Sequence, residues 1–147
     1  MKPSDLSADG LLLDTNVFSR LSQGDPAYED FRPFTVGRYL FISFITVGEV
    51  LGGAQAKGMG ERRLALIESA FQSYGVLPGN AAAARQYGLL WARLKQAGLP
   101  VQQNDLWIAA VSLSQNPPLP LLTNDGGFKN VAAVSDLVIV TPDRQAS

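Results

Sequence analysis

The chain has no cysteine and no histidine. The first absence removes a disulfide framework, thiolate zinc ligands and a thiol nucleophile. The second removes the commonest general base and the commonest metal-binding side chain near neutral pH. Chemistry must therefore fall to carboxylates, hydroxyls, amides, Lys, Arg, Tyr or a metal held by oxygen. Oxygen ligands select hard cations, so the expected ion is Mg2+ or Mn2+, not zinc or copper. Charge is also sparse. Charged residues make up 17% of the chain and the net charge is -1, which gives no bulk attraction for a polyanion, so nucleic-acid binding would need a local basic surface. Long apolar runs are missing too. The longest, Tyr39 to Leu51, carries Glu49 and falls short of the ~18 residues a membrane span needs. The start, MKPSDLSADG, has no apolar signal core. The expectation is a cytoplasmic protein with no membrane association.

What is present fits one domain over residues 1–147, 46% of them hydrophobic, and a chain of this size buries roughly 68–70% of its unfolded surface. Gly10 to Asp14, GLLLD, is a short continuous apolar run and predicts a strand buried on both faces. DTNVFSRL opens a helix that Thr15 or Asn16 could cap, QGDP breaks it, and a short helix follows around Tyr28 to Val36. Tyr39 to Ser43 is a second strand. From Thr46 the chain looks helical to Lys57-Gly58, and a further helix starts at Gly60. Tyr74 to Pro78 is a brief third strand. A long helix from Asn80 stops at Gly98-Leu99-Pro100, and an apolar helix entered through Asn104-Asp105 is closed by Pro117 and Pro118. LPLLT and LVIVT supply a fourth and a fifth strand. Alternating strands and helices predict an α/β fold with a mainly parallel sheet of about five strands covered on both faces. Such sheets bind ligands beyond the carboxyl ends of their strands.

Four acids fall at informative places. Asp14 ends the first strand, where it either faces a ligand crevice or merely caps the next helix. Glu49 sits on a helix with Phe44, Ile45, Val47, Val50, Leu51 and Ala54 around it, so it is expected to face a partner and not open water; a pair with Arg38 is the plain alternative. Asp105 lies in the first turn of its helix, where the macrodipole favours an anion by ~0.3–1 kcal/mol. Asp125 lies in the turn TNDGG. Taken singly, each has a structural reading. Together, two at strand ends and two at helix positions able to face the same sheet edge, they repel. Carboxylates ~4 Å apart do so by ~4 kcal/mol at an effective dielectric of 20, so they call for a cation or a shared proton.

The ordered blocks LLLDTNVFSRL, ITVGEVLGG, QNDLWIAAVSL and LLTNDGGFKNV resemble the PIN-domain family, especially the ribonuclease toxins of VapBC-type toxin–antitoxin modules. The resemblance runs from about Leu11 to Val140. It implies a PIN-like three-layer α/β/α fold and an endoribonuclease whose four acids are Asp14, Glu49, Asp105 and Asp125. By that reading Asp14 and Asp105 bind the metal directly, while Glu49 and Asp125 complete the shell or orient the attacking water. Asn16 and Thr123 are secondary positions. The ion would activate water and stabilise charge on the phosphate during in-line displacement, leaving a 5′-phosphate and a 3′-hydroxyl. A homodimer and a small antitoxin that occludes the site are further implications. One departure stands out. Relatives often carry a charged residue at the second glycine of Gly126-Gly127, so here Asp125 would act as the fourth acid by itself.

Arg20, Lys57, Arg62, Arg63 and Lys129 are candidates for phosphate contacts, although separated basic residues are more often a solvated face. Trp91 and Trp107 lie in apolar helices and read as core or dimer contacts before base-stacking platforms. The rival readings are a haloacid-dehalogenase-like phosphohydrolase with Asp14 as nucleophile, a non-catalytic interaction module, and a housekeeping RNA-processing nuclease. The first would need a second Asp where this chain has Asn16.

Overall fold

A computed structural model describes residues 1–143. The run of three leucines forms a strand, Gly10–Leu13 (β1), in which Leu11, Leu12 and Leu13 are all fully buried. Successive strand side chains point to opposite faces. Leu11 and Leu13 accordingly join one core with Val17, Phe18, Phe31, Phe34 and Phe71, while Leu12 joins another with Leu90, Leu94, Leu106, Ile108 and Phe128. The sheet is thus covered on both sides, as the unbroken apolar run requires.

The other strands are Tyr39–Ser43 (β2), Gly75–Leu77 (β3), Leu121–Leu122 (β4) and Ile139–Val140 (β5), in the spatial order β3-β2-β1-β4-β5 with every pairing parallel. The helices are Thr15–Ser22 (α1), Arg32–Thr35 (α2), Phe44–Ala56 (α3), Glu61–Phe71 (α4), Ala81–Ala97 (α5), Gln103–Leu113 (α6) and Phe128–Ala133 (α7). The result is the three-layer α/β/α arrangement expected from the sequence. From β1 the chain moves first to β2 on one side and later to β4 on the other. The switch point therefore lies at the carboxyl ends of β1 and β4, where an open α/β sheet forms its crevice.

Local boundaries differ where side chains compete for backbone groups. The segment expected as one helix from Tyr28 is a 3-10 turn, Pro26–Phe31, capped by Asp25, followed by the single turn α2. Helix α3 begins at Phe44, two residues before Thr46, because the Ser43 hydroxyl caps it by accepting the Thr46 N–H at 3.3 Å. Helix α6 begins at Gln103, and Asn104 does not cap it. Gly98 stops α5 as expected, with φ of 67°.

Arg38 makes no hydrogen bond or ion pair with Glu49. Its guanidinium donates to the carbonyls of Pro3, Leu6, Ala8 and Phe34 at 2.6–3.1 Å, tying the amino-terminal segment to the start of β2. Replacing it with Ala leaves these carbonyls without that donor. The expected cost is about 2 kcal/mol in a urea melt, together with faster proteolysis ahead of β1; an unchanged midpoint would show that these bonds hold nothing.

Candidate active site

Asp14 follows β1 directly and is itself the cap of α1, in place of Thr15 or Asn16. Its Oδ1 accepts the Thr15 N–H at 2.7 Å and its Oδ2 accepts the Thr123 hydroxyl at 2.8 Å. The side chain is only 5% exposed. Burial pushes its pKa up, the two hydrogen bonds pull it down, and the charges of Asp125 and Glu49 push it up again.

Thr123, at the end of β4 and fully buried, connects two acids: its hydroxyl also accepts the Asp125 N–H at 2.9 Å. Asp125 Oδ1 in turn accepts the Gly127 N–H at 2.8 Å, closing the turn. On the other flank, the Thr15 hydroxyl donates to Glu49 Oε1 at 2.8 Å and lies 2.9 Å from the hydroxyl of buried Thr46. Glu49 is exposed, contrary to the expectation from its apolar neighbours. The reason is that α3 buries only Thr46 and Ala54 fully, and its larger apolar side chains are half-covered, leaving Glu49 on the open side. Its partner is the hydroxyl of Thr15. Nothing in the sequence marks Thr15 or Thr46 as a site residue, because the contact between them is purely tertiary.

Asp105 projects from the first turn of α6, half-buried, with its pKa pushed up to about 6. Burial is the largest cause, followed by the charges of Asp125, Asp14 and Glu49. Asp14 and Asp105 are thus within electrostatic reach of each other and of both Asp125 and Glu49. Asn16 is exposed in the first turn of α1, and Thr123 sits at the centre of the hydrogen-bond network. Gly127 shows how close two of the acids come: a Cβ placed there would lie 3.2 Å from both Asp105 Oδ2 and Asp125 Oδ1. The glycine that breaks the sequence pattern therefore lies between two carboxylates.

The donor set is oxygen throughout. Among the described residues no Lys or Arg pairs with any of the four acids, and no three carboxylates are yet close enough to enclose one ion. Converging carboxylates that have no basic partner among the described residues, one of them with its pKa pushed up to about 6, fit a hard divalent cation in chemistry.

The aromatic candidates divide. Trp107 is half-buried, stacked on Tyr87 with ring centres 4.3 Å apart and edge-on to Phe44 at 5.7 Å. Trp91 is 51% exposed, with the Lys95 amine 4.7 Å from its ring centre, so it is not a core residue of this chain.

The family profile described as PIN domain matches residues 11–134, which spans every one of these positions. The chain belongs to the PIN-domain family. Among PIN relatives, ribonuclease VapC1 of Haemophilus influenzae is 34% identical over 110 residues, covering 74% of this chain and 82% of the relative. The tRNA(fMet)-specific endonuclease VapC of Shigella flexneri is 34% identical over 114 residues, covering 78% and 85%. In three dimensions the PIN fold of this chain superimposes on a chain of VapBC-1 from nontypeable Haemophilus influenzae with a TM-score of 0.75 at 30% identity, over 90% of this chain and 97% of that one. No helix among the described residues is long and apolar enough to cross a membrane.

Proposed function

We propose that this PIN domain is a metal-dependent endoribonuclease and the toxin of a type II toxin–antitoxin pair. The observation that carries the reading is the gathering of Asp14, Glu49, Asp105 and Asp125 near the switch point with no basic partner for any of them among the described residues. Similarity to VapC ribonucleases supports RNA as substrate, and similarity to a VapBC complex supports a small antitoxin as partner. Leu89 and Trp91, large apolar residues that α5 leaves exposed, support a homodimer.

In this reading Asp14 and Asp105 hold Mg2+ or Mn2+. The bound ion supplies charge neutralisation at the scissile phosphate and acidifies water. The chain's own residues do the positioning. The Thr15 N–H and the Thr123 hydroxyl each occupy one oxygen of Asp14, fixing the plane of the carboxylate and leaving further lone pairs available. Thr15 likewise fixes Glu49 through its hydroxyl, and the Asp125 carboxylate is held by the turn at Gly127. Glu49 and Asp125 thereby flank the centre as acceptors for the attacking water, with no imidazole in the chain to take its proton.

The end chemistry of the products is the direct test. Purified protein incubated with total tRNA, including the initiator species, is expected to leave 5′-phosphate and 3′-hydroxyl termini. Products ending in a 2′,3′-cyclic phosphate would mean attack by the ribose hydroxyl and would overturn the mechanism.

A further inference from the structure

Glu49 is held by less than the other acids. It stands exposed on α3, and the residues three and four places after it are Gly52 and Gly53, which have no side chain to lie against it. A Cβ on either glycine would meet nothing within 4 Å, so no other element closes over this stretch of the helix. Three places before Glu49, on the same side of α3, is Thr46, which is fully buried. Its N–H donates to the Ser43 hydroxyl at 3.3 Å, which fixes it in the first turn. The one hydrogen bond that Glu49 receives among the described residues comes from α1, where the Thr15 hydroxyl donates to Oε1 at 2.8 Å. That same hydroxyl lies 2.9 Å from the hydroxyl of Thr46.

The protons available fix the direction of this chain. A threonine hydroxyl has one proton to give and two lone pairs to accept with, whereas an ionised carboxylate only accepts. The Thr15 proton is committed to Glu49, so the proton between the two hydroxyls is that of Thr46. Shielded from solvent, Thr46 cannot give it to water, and the Thr15 oxygen is the one partner of its hydroxyl among the described residues. Were the contact reversed, the Thr15 proton would point inward and Glu49 would receive none. We infer that Thr46 is a positioning residue for RNA cleavage: its buried hydroxyl turns the single proton of Thr15 onto Glu49 Oε1, which leaves Oε2 to accept from the attacking water. This role rests on the ribonuclease reading above. A threonine kept only for its packing would need the methyl group and not the hydroxyl, and the two demands separate by substitution.

The test measures kcat and KM for cleavage of 5′-labelled total tRNA in Mg2+ by full-length wild-type, Thr46→Val, Thr46→Ala and Thr46→Ser protein, with a melting curve for each. Val and Ala both remove the hydroxyl but keep different amounts of packing. Both are expected to lower kcat by roughly tenfold, the low end for a residue that acts through another, with KM nearly unchanged. The two should lose the same rate even though Thr46→Ala melts lower. Thr46→Ser keeps the hydroxyl and should stay close to the wild-type kcat. Thr15→Val breaks the same chain one link nearer to Glu49, so adding Thr46→Val to it is expected to cost no further rate. If Thr46→Val cleaves as fast as wild type, if the rates follow the melting midpoints and not the hydroxyl, or if the Thr15 and Thr46 losses multiply, the positioning role is overturned and the ribonuclease reading stands. Absence of cleavage by wild-type protein in both Mg2+ and Mn2+ would remove the role together with the function it rests on.

Discussion

Asp105→Asn is expected to lower RNA cleavage by roughly a hundred- to a thousandfold while making the metal-free protein more stable. The two effects have one cause. Asp105 is pushed to about pH 6 by burial and by three neighbouring carboxylates, so its ionised form is disfavoured in the fold relative to the unfolded chain. A carboxyl whose folded pKa is raised contributes full stability below its unfolded value near 3.8 and loses it as pH rises through about 6. Above pH 7 the wild-type apo protein therefore carries a penalty. Because the group is only half-buried, solvent screening reduces it to an order of 1–2 kcal/mol. For a chain of this size that corresponds to roughly 2–6 °C in the melting temperature. Asparagine keeps the shape and removes the charge. Melting curves at pH 5 and 7.5 without divalent metal are expected to show a smaller fall for the variant than for wild type, not an absent one, because Asp14 is raised in the same direction. Adding Mg2+ at pH 7.5 should then stabilise wild type and leave the variant almost unmoved. Equal pH dependence in the two proteins would mean that Asp105 is not electrostatically strained.

Thr123→Val is expected to cost activity by about 10–100-fold although the residue carries no charge. Its hydroxyl donates to Asp14 Oδ2 at 2.8 Å and accepts the Asp125 N–H at 2.9 Å, inside a pocket where it is 1% exposed. Valine fills nearly the same volume, so packing survives. What disappears is one of two donors to a buried carboxylate, and a hydrogen bond to a charged group is worth ~1.5–3 kcal/mol. Asp14 would then turn or take up a proton more readily, and Asp125 would lose the anchor of its turn. Thr123→Ser restores the hydroxyl and should recover most of the rate. If Val and Ser behave alike, the hydroxyl does not position Asp14.

The residues legible in the sequence are those whose role is set by local pattern. The leucines of β1 have to be buried on both faces because nothing polar interrupts them, and Asp14 has to stand at the strand's end because the apolar run stops there. Glu49 does face a partner, the Thr15 hydroxyl, as its apolar neighbours suggest, but it also stands open to solvent because the chain covers α3 only in part. Arg38 is a reasonable partner for it by charge, but its guanidinium donates to four carbonyls instead. The hydroxyl relay from Thr46 through Thr15 to Glu49 spans residues distant in the chain and leaves no signal beyond ordinary capping chemistry. Gly127 is visible as a departure from the family pattern; only the fold shows that it lies against Asp105 and Asp125.

If the four acids cut RNA, they do so by holding a divalent cation. This is tested most directly by following cleavage of a labelled tRNA by wild-type and Asp14→Asn protein with Mg2+, with Mn2+ and with chelator. Cleavage by wild type should stop with chelator, return when either metal is restored, and be absent from Asp14→Asn throughout. Cleavage that persists through both chelator and substitution would contradict the account.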